Sequence, residues 1–179
     1  MPMPDLIPHV HCATSDADAH VATLVQQIAH ALRARGQCLA TAESCTGGLV
    51  AAACTALSGS SDWFERGFVT YSNAAKTELL GVPAELIAAH GAVSEPVAQA
   101  MAQGALAHAR AQWALSITGI AGPSGGSADK PVGTVCFGWA TPGAVSTERC
   151  HFQGDRAQVR QAALHHALAG LVQRLGHHA

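Results

Sequence analysis

Lysine and tyrosine are nearly missing from this chain. Of its ten basic residues only Lys76 and Lys130 are lysine, the other eight being arginine, and Tyr71 is the sole tyrosine. Charge of one sign never accumulates: the formal net charge is −2, with acids and bases mixed along the chain. That pattern excludes the basic patch of a nucleic-acid binder and the acidic block of a solvating tail. No apolar run approaches the roughly 20 residues of a membrane span. No secretory signal pattern is visible, and the six cysteines (Cys12, Cys38, Cys45, Cys54, Cys136 and Cys150) include no C-x-x-C pair. A disulfide scaffold is therefore not expected, and the thiols read as reduced, small hydrophobes in a cytoplasmic protein. Also missing are a Walker A loop, G-x-G-x-x-G, a G-x-S-x-G elbow and any Ser-His-Asp pattern.

Histidine is plentiful, with eleven copies, but its spacing is wrong for a metal. His9-x-His11-Cys12 has no partner at zinc-finger distance. His165 and His166 are neighbours in an expected helix and point in different directions. His177-His178 is an isolated pair. No functional metal set and no cofactor are expected.

What remains is a 179-residue chain of 49% hydrophobic composition, enough to bury one real core. Residues 1–14, with three prolines and no periodicity, read as a flexible arm, and residues 15–179 as a single domain. Val21, Leu24, Val25, Ile28 and Leu32 fall at helical spacing, ending in Arg33, Arg35 and Gly36. Residues 37–42 read as a buried strand, followed by a tight polar turn and a helix over 49–57. A second strand is expected over 67–72, then a short helix that Asn73 could cap and that carries Lys76. Ser94-Glu95-Pro96 starts another helix. Residues 113–118 read as a strand, 119–127 as a glycine-rich loop, and 132–140 with 145–152 as a β-hairpin. Asp155 caps a final helix whose Val159, Ala163, Leu164, Leu168, Leu171 and Leu175 share one face. Early alternation of helix and strand with a late hairpin predicts an α/β fold: a three-layer α/β/α sandwich around a mixed, mostly parallel sheet with an antiparallel edge.

Sheets of this kind carry ligands at the carboxyl ends of their strands. Three polar or glycine-rich segments fall there: 43–48, 71–76 and 119–127. Ser44 sits at a strand-to-helix turn, where the free N–H groups of the following residues could hold an oxyanion. Ser44 or Thr46 could equally be a helix cap. Arginine cannot release its proton whereas a desolvated lysine can, so a chain that rarely uses lysine yet places Lys76 beside these loops hints at a titratable amine. Tyr71 could pack as a core tyrosine or share proton transfer with Ser44 and Lys76. The glycine loop could bring N–H groups to an anion, with Lys130 and Arg156 adding charge, or it could be a simple connector.

Six motifs occur in order: Thr41-Ala-Glu-Ser-Cys-Thr-Gly-Gly48, Thr70-Tyr-Ser-Asn-Ala-Ala-Lys76, His90-Gly-Ala-Val-Ser-Glu95, Thr118-Gly-Ile-Ala-Gly-Pro123, Lys130-Pro-Val-Gly-Thr134 and Gly154-Asp-Arg156. Together they resemble the CinA C-terminal family, from about Val21 to Leu175, with a likeness to its stand-alone nicotinamide-nucleotide amidases. The resemblance implies hydrolysis of the carboxamide of nicotinamide mononucleotide to nicotinate mononucleotide and ammonia. It also implies Ser44 as nucleophile, assisted by Lys76 and Tyr71, and it overrides the capping alternative. N–H groups of Cys45, Thr46 and Gly47 would hold the oxyanion. Asn73, the loop Gly119, Ile120, Ala121 and Gly122, and Lys130 and Arg156 would bind substrate. Longer family members carry an additional domain for which this chain has no room. Ser124 stands where the family pattern leads one to expect aspartate. The partner expected is a small pyridine nucleotide, with no nucleic acid and no membrane; a homo-oligomer is left open. Two other classes remain: a non-catalytic nucleotide-binding or regulatory module, and a serine hydrolase acting on another amide.

Overall fold

The computed structural model describes residues 16–177. The expected arm over 1–14, the His9, His11 and Cys12 cluster, and His178 lie outside them. Five strands form one sheet in the spatial order β2-β1-β3-β4-β5. They are β1 (Leu39–Glu43), β2 (Phe64–Val69), β3 (Trp113–Gly119), β4 (Thr134–Thr141) and β5 (Ala144–His151). β1 pairs in parallel with both β2 and β3, while β3–β4 and β4–β5 are antiparallel. Only β4 runs against the others, giving the expected mixed sheet with an antiparallel edge, its pairings divided equally between parallel and antiparallel. The helices are α1 (Asp16–Arg35), α2 (Leu49–Thr55), α3 (Asn73–Leu80), α4 (Ala84–His90), α5 (Glu95–Ala107) and α6 (Arg156–His177).

Side chains alternate across a strand, so each strand feeds two cores. Leu39, Trp113, Leu115, Ile117, Val135, Phe137 and Trp139 face α1, α2 and α6, and all are buried. The other face offers small residues, Ala40, Ala42, Ala114 and Ala140, to α5 with α3 and α4. That face lets α5 lie almost on the sheet. A Cβ at Gly138 would stand 2.7 Å from the Ala98 carbonyl oxygen, and Ser116 Oγ donates to that same carbonyl at 2.6 Å. Helices on both faces complete the three layers.

Ser94 caps α5 by accepting from the Val97 N–H, and Asp155 caps α6 by accepting from the Gln158 N–H, both as the sequence predicts. Three details differ. β2 begins at Phe64 and ends at Val69, so Tyr71 lies beyond the strand. α4, a helix of seven residues, was not anticipated. Ser72 rather than Asn73 caps α3, since its hydroxyl accepts from the Ala75 N–H.

The order of the strands decides where a ligand can enter. From β1 the chain steps to β2 on one side, then crosses to β3 on the other. The helices after β1 and β2 therefore lie on opposite faces, and a crevice opens at the carboxyl end of β1. The next residue is Ser44.

Candidate active site

The buried polar residues gather at this end of the sheet. Thr41, Glu43, Ser44, Thr46, Thr70, Lys76, Thr118 and Thr134 are all withdrawn from water there. Buried polar groups are costly without partners, so their hydrogen bonds describe what the site is built to do.

Glu43 ends β1 and is 1% exposed. Its carboxylate accepts from the N–H groups of Gly48 and Val50 through Oε2, and of Ala51 through Oε1. It thus satisfies the first turn of α2, where an anion is favoured. Gly48 is the N-cap position and offers no side chain. Ser44 and Thr46 therefore do not cap α2, and the capping alternative for Ser44 falls. Glu43 was not among the residues singled out from the sequence. Its signal was present, a carboxylate five residues before a glycine-led helix, but its reach over the turn depends on backbone geometry. Gly47 and Gly48 have φ of 62° and 101°. Both are left-handed conformations that an L side chain resists, and they fold the turn tightly enough for Glu43 to reach across it.

This arrangement leaves the Ser44 hydroxyl free for another partner. Lys76 Nζ lies 3.1 Å from Ser44 Oγ, 2.9 Å from the Thr70 carbonyl and 3.5 Å from the Tyr71 carbonyl. Lys76 is 1% exposed, and burial pushes its pKa below the ordinary lysine value. The partner set suits both protonation states. As an ammonium, Lys76 donates to all three oxygens. As a neutral amine, it donates to the two carbonyls and accepts the Ser44 proton.

Backbone donors flank the hydroxyl. Among the described residues, the Thr46 N–H has no hydrogen-bond partner and the Cys45 N–H meets only its own thiol, whereas the Gly47 N–H is committed to the Ser44 carbonyl at 3.0 Å. Gly47 therefore leaves the expected oxyanion set, because the turn itself uses its donor. Arg160, also not anticipated, donates through Nε to the Cys45 carbonyl at 3.1 Å and through Nη2 to the Thr46 carbonyl at 2.9 Å. In a trans peptide the C=O and the following N–H point in opposite directions. By holding the Cys45 carbonyl, Arg160 aims the Thr46 N–H away from itself. Burial pushes the Cys45 thiol up to about 11, so it stays protonated near neutrality despite Arg160 nearby. Cys45 is not a competing nucleophile. Thr46 Oγ1 and Thr70 Oγ1 are buried with no hydrogen-bond partner among the described residues.

Tyr71 is 61% exposed, and its hydroxyl accepts from Arg156 Nη2 at 3.0 Å. It meets Lys76 through its carbonyl, so neither the core packing nor the phenolic contact with the Ser44–Lys76 pair is found. Arg156 also donates to the Gly122 carbonyl at 2.9 Å, bridging the end of β2 to the glycine loop. In that loop the Ile120 N–H is bonded to the Thr134 carbonyl and is not free for an anion. Gly119 is closely surrounded: a Cβ there would lie 2.8 Å from Val135 Cγ2, 3.0 Å from Cys45 Sγ and 3.1 Å from the Thr134 carbonyl oxygen. Ala121 is buried, while Ser124 is exposed on the outer part of the loop. Lys130 donates to the His90 carbonyl at the end of α4 at 2.6 Å, and Asn73 is exposed in the first turn of α3. Neither is in hydrogen-bond contact with Ser44 or Lys76.

The profile of the CinA C-terminal domain matches residues 21–175. The nicotinamide-nucleotide amidohydrolase PncC of Escherichia coli K12 is 56% identical over 158 residues, covering 88% of this chain and 96% of the relative. A CinA-like protein of Syntrophobacter fumaroxidans is 54% identical over 145 residues, which make up 81% of this chain but only 34% of that protein. The crystal structure of the competence/damage inducible protein CihA from Agrobacterium tumefaciens superposes with a TM-score of 0.85 at 43% identity, covering 88% of this chain and 96% of the other.

Proposed function

The chain belongs to the CinA C-terminal domain family, and from that premise we propose that it is a nicotinamide-nucleotide amidohydrolase working through a Ser44 acyl-enzyme. The substrate follows from the Escherichia coli relative. The chemistry rests on one observation: a buried lysine with a lowered pKa within proton-transfer distance of a serine at the carboxyl end of β1.

In this mechanism neutral Lys76 takes the Ser44 proton as Oγ attacks the carboxamide carbon. The carbonyl electron pair moves onto oxygen, and the N–H groups of Cys45 and Thr46 receive the oxyanion. Protonated Lys76 returns its proton to the amide nitrogen, ammonia leaves, and an ester joins the nicotinoyl group to Ser44. Water, deprotonated by Lys76, attacks that ester and releases nicotinate mononucleotide. Arg160 positions the oxyanion donors, and Glu43 holds the turn that carries them. Arg156, steadied by Tyr71 and the Gly122 carbonyl, is the candidate cation for the nucleotide phosphate. A relay role for Tyr71 would require its phenol to leave Arg156.

The test is ammonia release from nicotinamide mononucleotide by the wild-type protein and by Ser44→Ala, with nicotinamide riboside as the substrate lacking phosphate. The wild type should convert the mononucleotide and handle the riboside much more poorly. Adding hydroxylamine should divert part of the product to the nicotinoyl hydroxamate. Ser44→Ala should lose at least about three decades of rate, since the nucleophile is gone, while keeping its fold. A Ser44→Ala enzyme with near-normal turnover would refute the acyl-enzyme. A wild-type protein that binds the nucleotide without releasing ammonia would be a regulatory module instead.

A further inference from the structure

We propose that Glu148, Cys150 and His166 form a second site, separate from Ser44, that binds a zinc-class divalent cation. Glu148 and Cys150 alternate along β5 and so project from the same face of the sheet edge. His166 comes to them from α6. The His166 Nε2–Glu148 Oε2 distance is 3.2 Å, Cys150 Sγ–His166 Nε2 is 3.5 Å, and Cys150 Sγ–Glu148 Oε1 is 3.5 Å. One donor atom from each residue can be chosen so that all three lie within 4.8 Å of one another.

The Cys150–His166 separation is already the one a tetrahedral ion requires, while Glu148, which meets His166 and Cys150 through different oxygens, must turn to offer one oxygen to the ion. With Zn–N and Zn–O near 2.0–2.2 Å and Zn–S near 2.3 Å, ligand atoms at tetrahedral angles lie about 3.3–3.6 Å apart. Nitrogen, oxygen and sulfur together favour a borderline-soft ion over magnesium or calcium. A thiolate, a carboxylate and a neutral imidazole would balance a charge of +2, with the thiol proton leaving to solvent as the metal–sulfur bond forms.

The site is also held in place. The His166 ring packs against Phe137, Phe152 and Trp139 at centroid distances of 4.7, 5.9 and 6.2 Å. That packing limits the ring's freedom while its Nε2 faces β5. The side chains of His166 and Glu148 are 30% and 45% exposed, so an ion can enter and a water can take the fourth position. Arg174, whose charge acts with Glu148, is anchored on Ser146 Oγ, the Gly170 carbonyl and the face of Trp139. β5 is three strand spacings from β1, or about 14 Å. The cation would thus be structural or sensory and take no part in amide hydrolysis. An exposed Glu–His pair alone is worth little and does not call for a thiol.

The test titrates the full chain with cobalt(II) and reads the near-ultraviolet thiolate-to-cobalt charge-transfer band and the visible bands of tetrahedral cobalt. One equivalent should bind, zinc should displace it, and Cys150→Ser should abolish the charge-transfer band. His166→Gln and Glu148→Gln should each weaken binding at least about tenfold, the loss expected even of supporting residues around a metal. All three variants should keep their rate of ammonia release, with or without chelator. His166→Gln, which leaves the thiol in place, keeps the test decisive should Cys150→Ser fold poorly. No thiolate band in the wild type would overturn the site. So would a band that survives Cys150→Ser, since that places the ion on another cysteine.

Discussion

Replacing Lys76 with arginine and, in parallel, with methionine asks whether the buried amine works by accepting a proton or only by its charge. Its Nζ stands 3.1 Å from Ser44 Oγ, inside the range for direct transfer. A positioned general base contributes about 10²–10⁴-fold, or about 2.7–5.5 kcal/mol of barrier. Arginine keeps the charge but cannot release its proton, so Lys76→Arg should lose that whole factor and be nearly as inactive as Lys76→Met. Methionine adds a stability readout. Burial sets the folded pKa of Lys76 below its unfolded value. Between those values the unfolded chain holds the extra proton, so this contribution to stability rises with pH across the window. It is fully present above the unfolded value and is lost as pH falls through the folded one. Near neutrality Lys76 is therefore a burden on the fold, which methionine relieves. Against that, methionine leaves the Thr70 carbonyl and the Ser44 hydroxyl without their partner, costing about 1–3 kcal/mol. The terms oppose each other, and at about 2–4 °C per kcal/mol the melting temperature should move by only a few degrees. The assay is ammonia release from nicotinamide mononucleotide across pH, with calorimetry on the same samples. Wild-type kcat/KM should rise with pH through an apparent value below that of free lysine, belonging to the Ser44–Lys76 pair as a unit. A Lys76→Arg enzyme that keeps more than about a tenth of wild-type kcat/KM with an unchanged pH profile would refute the base.

Arg160→Met should lower kcat by about 10–10³-fold with little change in KM, because it frees the Cys45 and Thr46 carbonyls and lets the oxyanion donors turn. Arg160→Lys should recover only part of that loss, since one ammonium cannot reproduce the two-carbonyl grip; an effect confined to KM would show that Arg160 binds substrate instead. Glu43→Gln should destabilise the fold by about 1–3 kcal/mol, since one amide oxygen replaces a carboxylate that serves three N–H groups, read as a lower midpoint in urea. An unchanged midpoint would mean the α2 turn holds without its anion.

The first turns of α5 and α6 could be read directly from the chain. Ser94 ahead of Glu-Pro and Asp155 ahead of a one-sided apolar helix are local signals, because a cap acts within four residues of itself. The buried faces of α1 and α6 were legible for the same reason, as periodicity is written along the chain. Ser44 and Lys76 could be named as candidates, since both fall beside expected strand ends. Their contact at 3.1 Å could not be, because it spans 32 residues and depends on β2 lying beside β1.

Only the tertiary structure decided the roles that turn on competition for partners. Glu43 takes the N–H groups of α2 and so frees Ser44 from capping, a contest between neighbours that residue types alone leave open. Tyr71, read as a strand residue near Lys76, lies past the end of β2, where its hydroxyl meets Arg156 from 85 residues away. Nothing beside Arg160 in the chain marks it, and only the packing of α6 over the Ser44 turn brings it to two carbonyls 115 and 114 residues distant. His166 is the sharpest case. Along the chain it has only His165 beside it, pointing elsewhere, and spacing argued against a metal. The sheet then lays β5 under α6 and sets a thiol and a carboxylate against its Nε2. Hydrophobic period and caps are local properties and survive in the sequence. Partners joined across the sheet depend on strand order and on helix placement, which many weak contacts settle together.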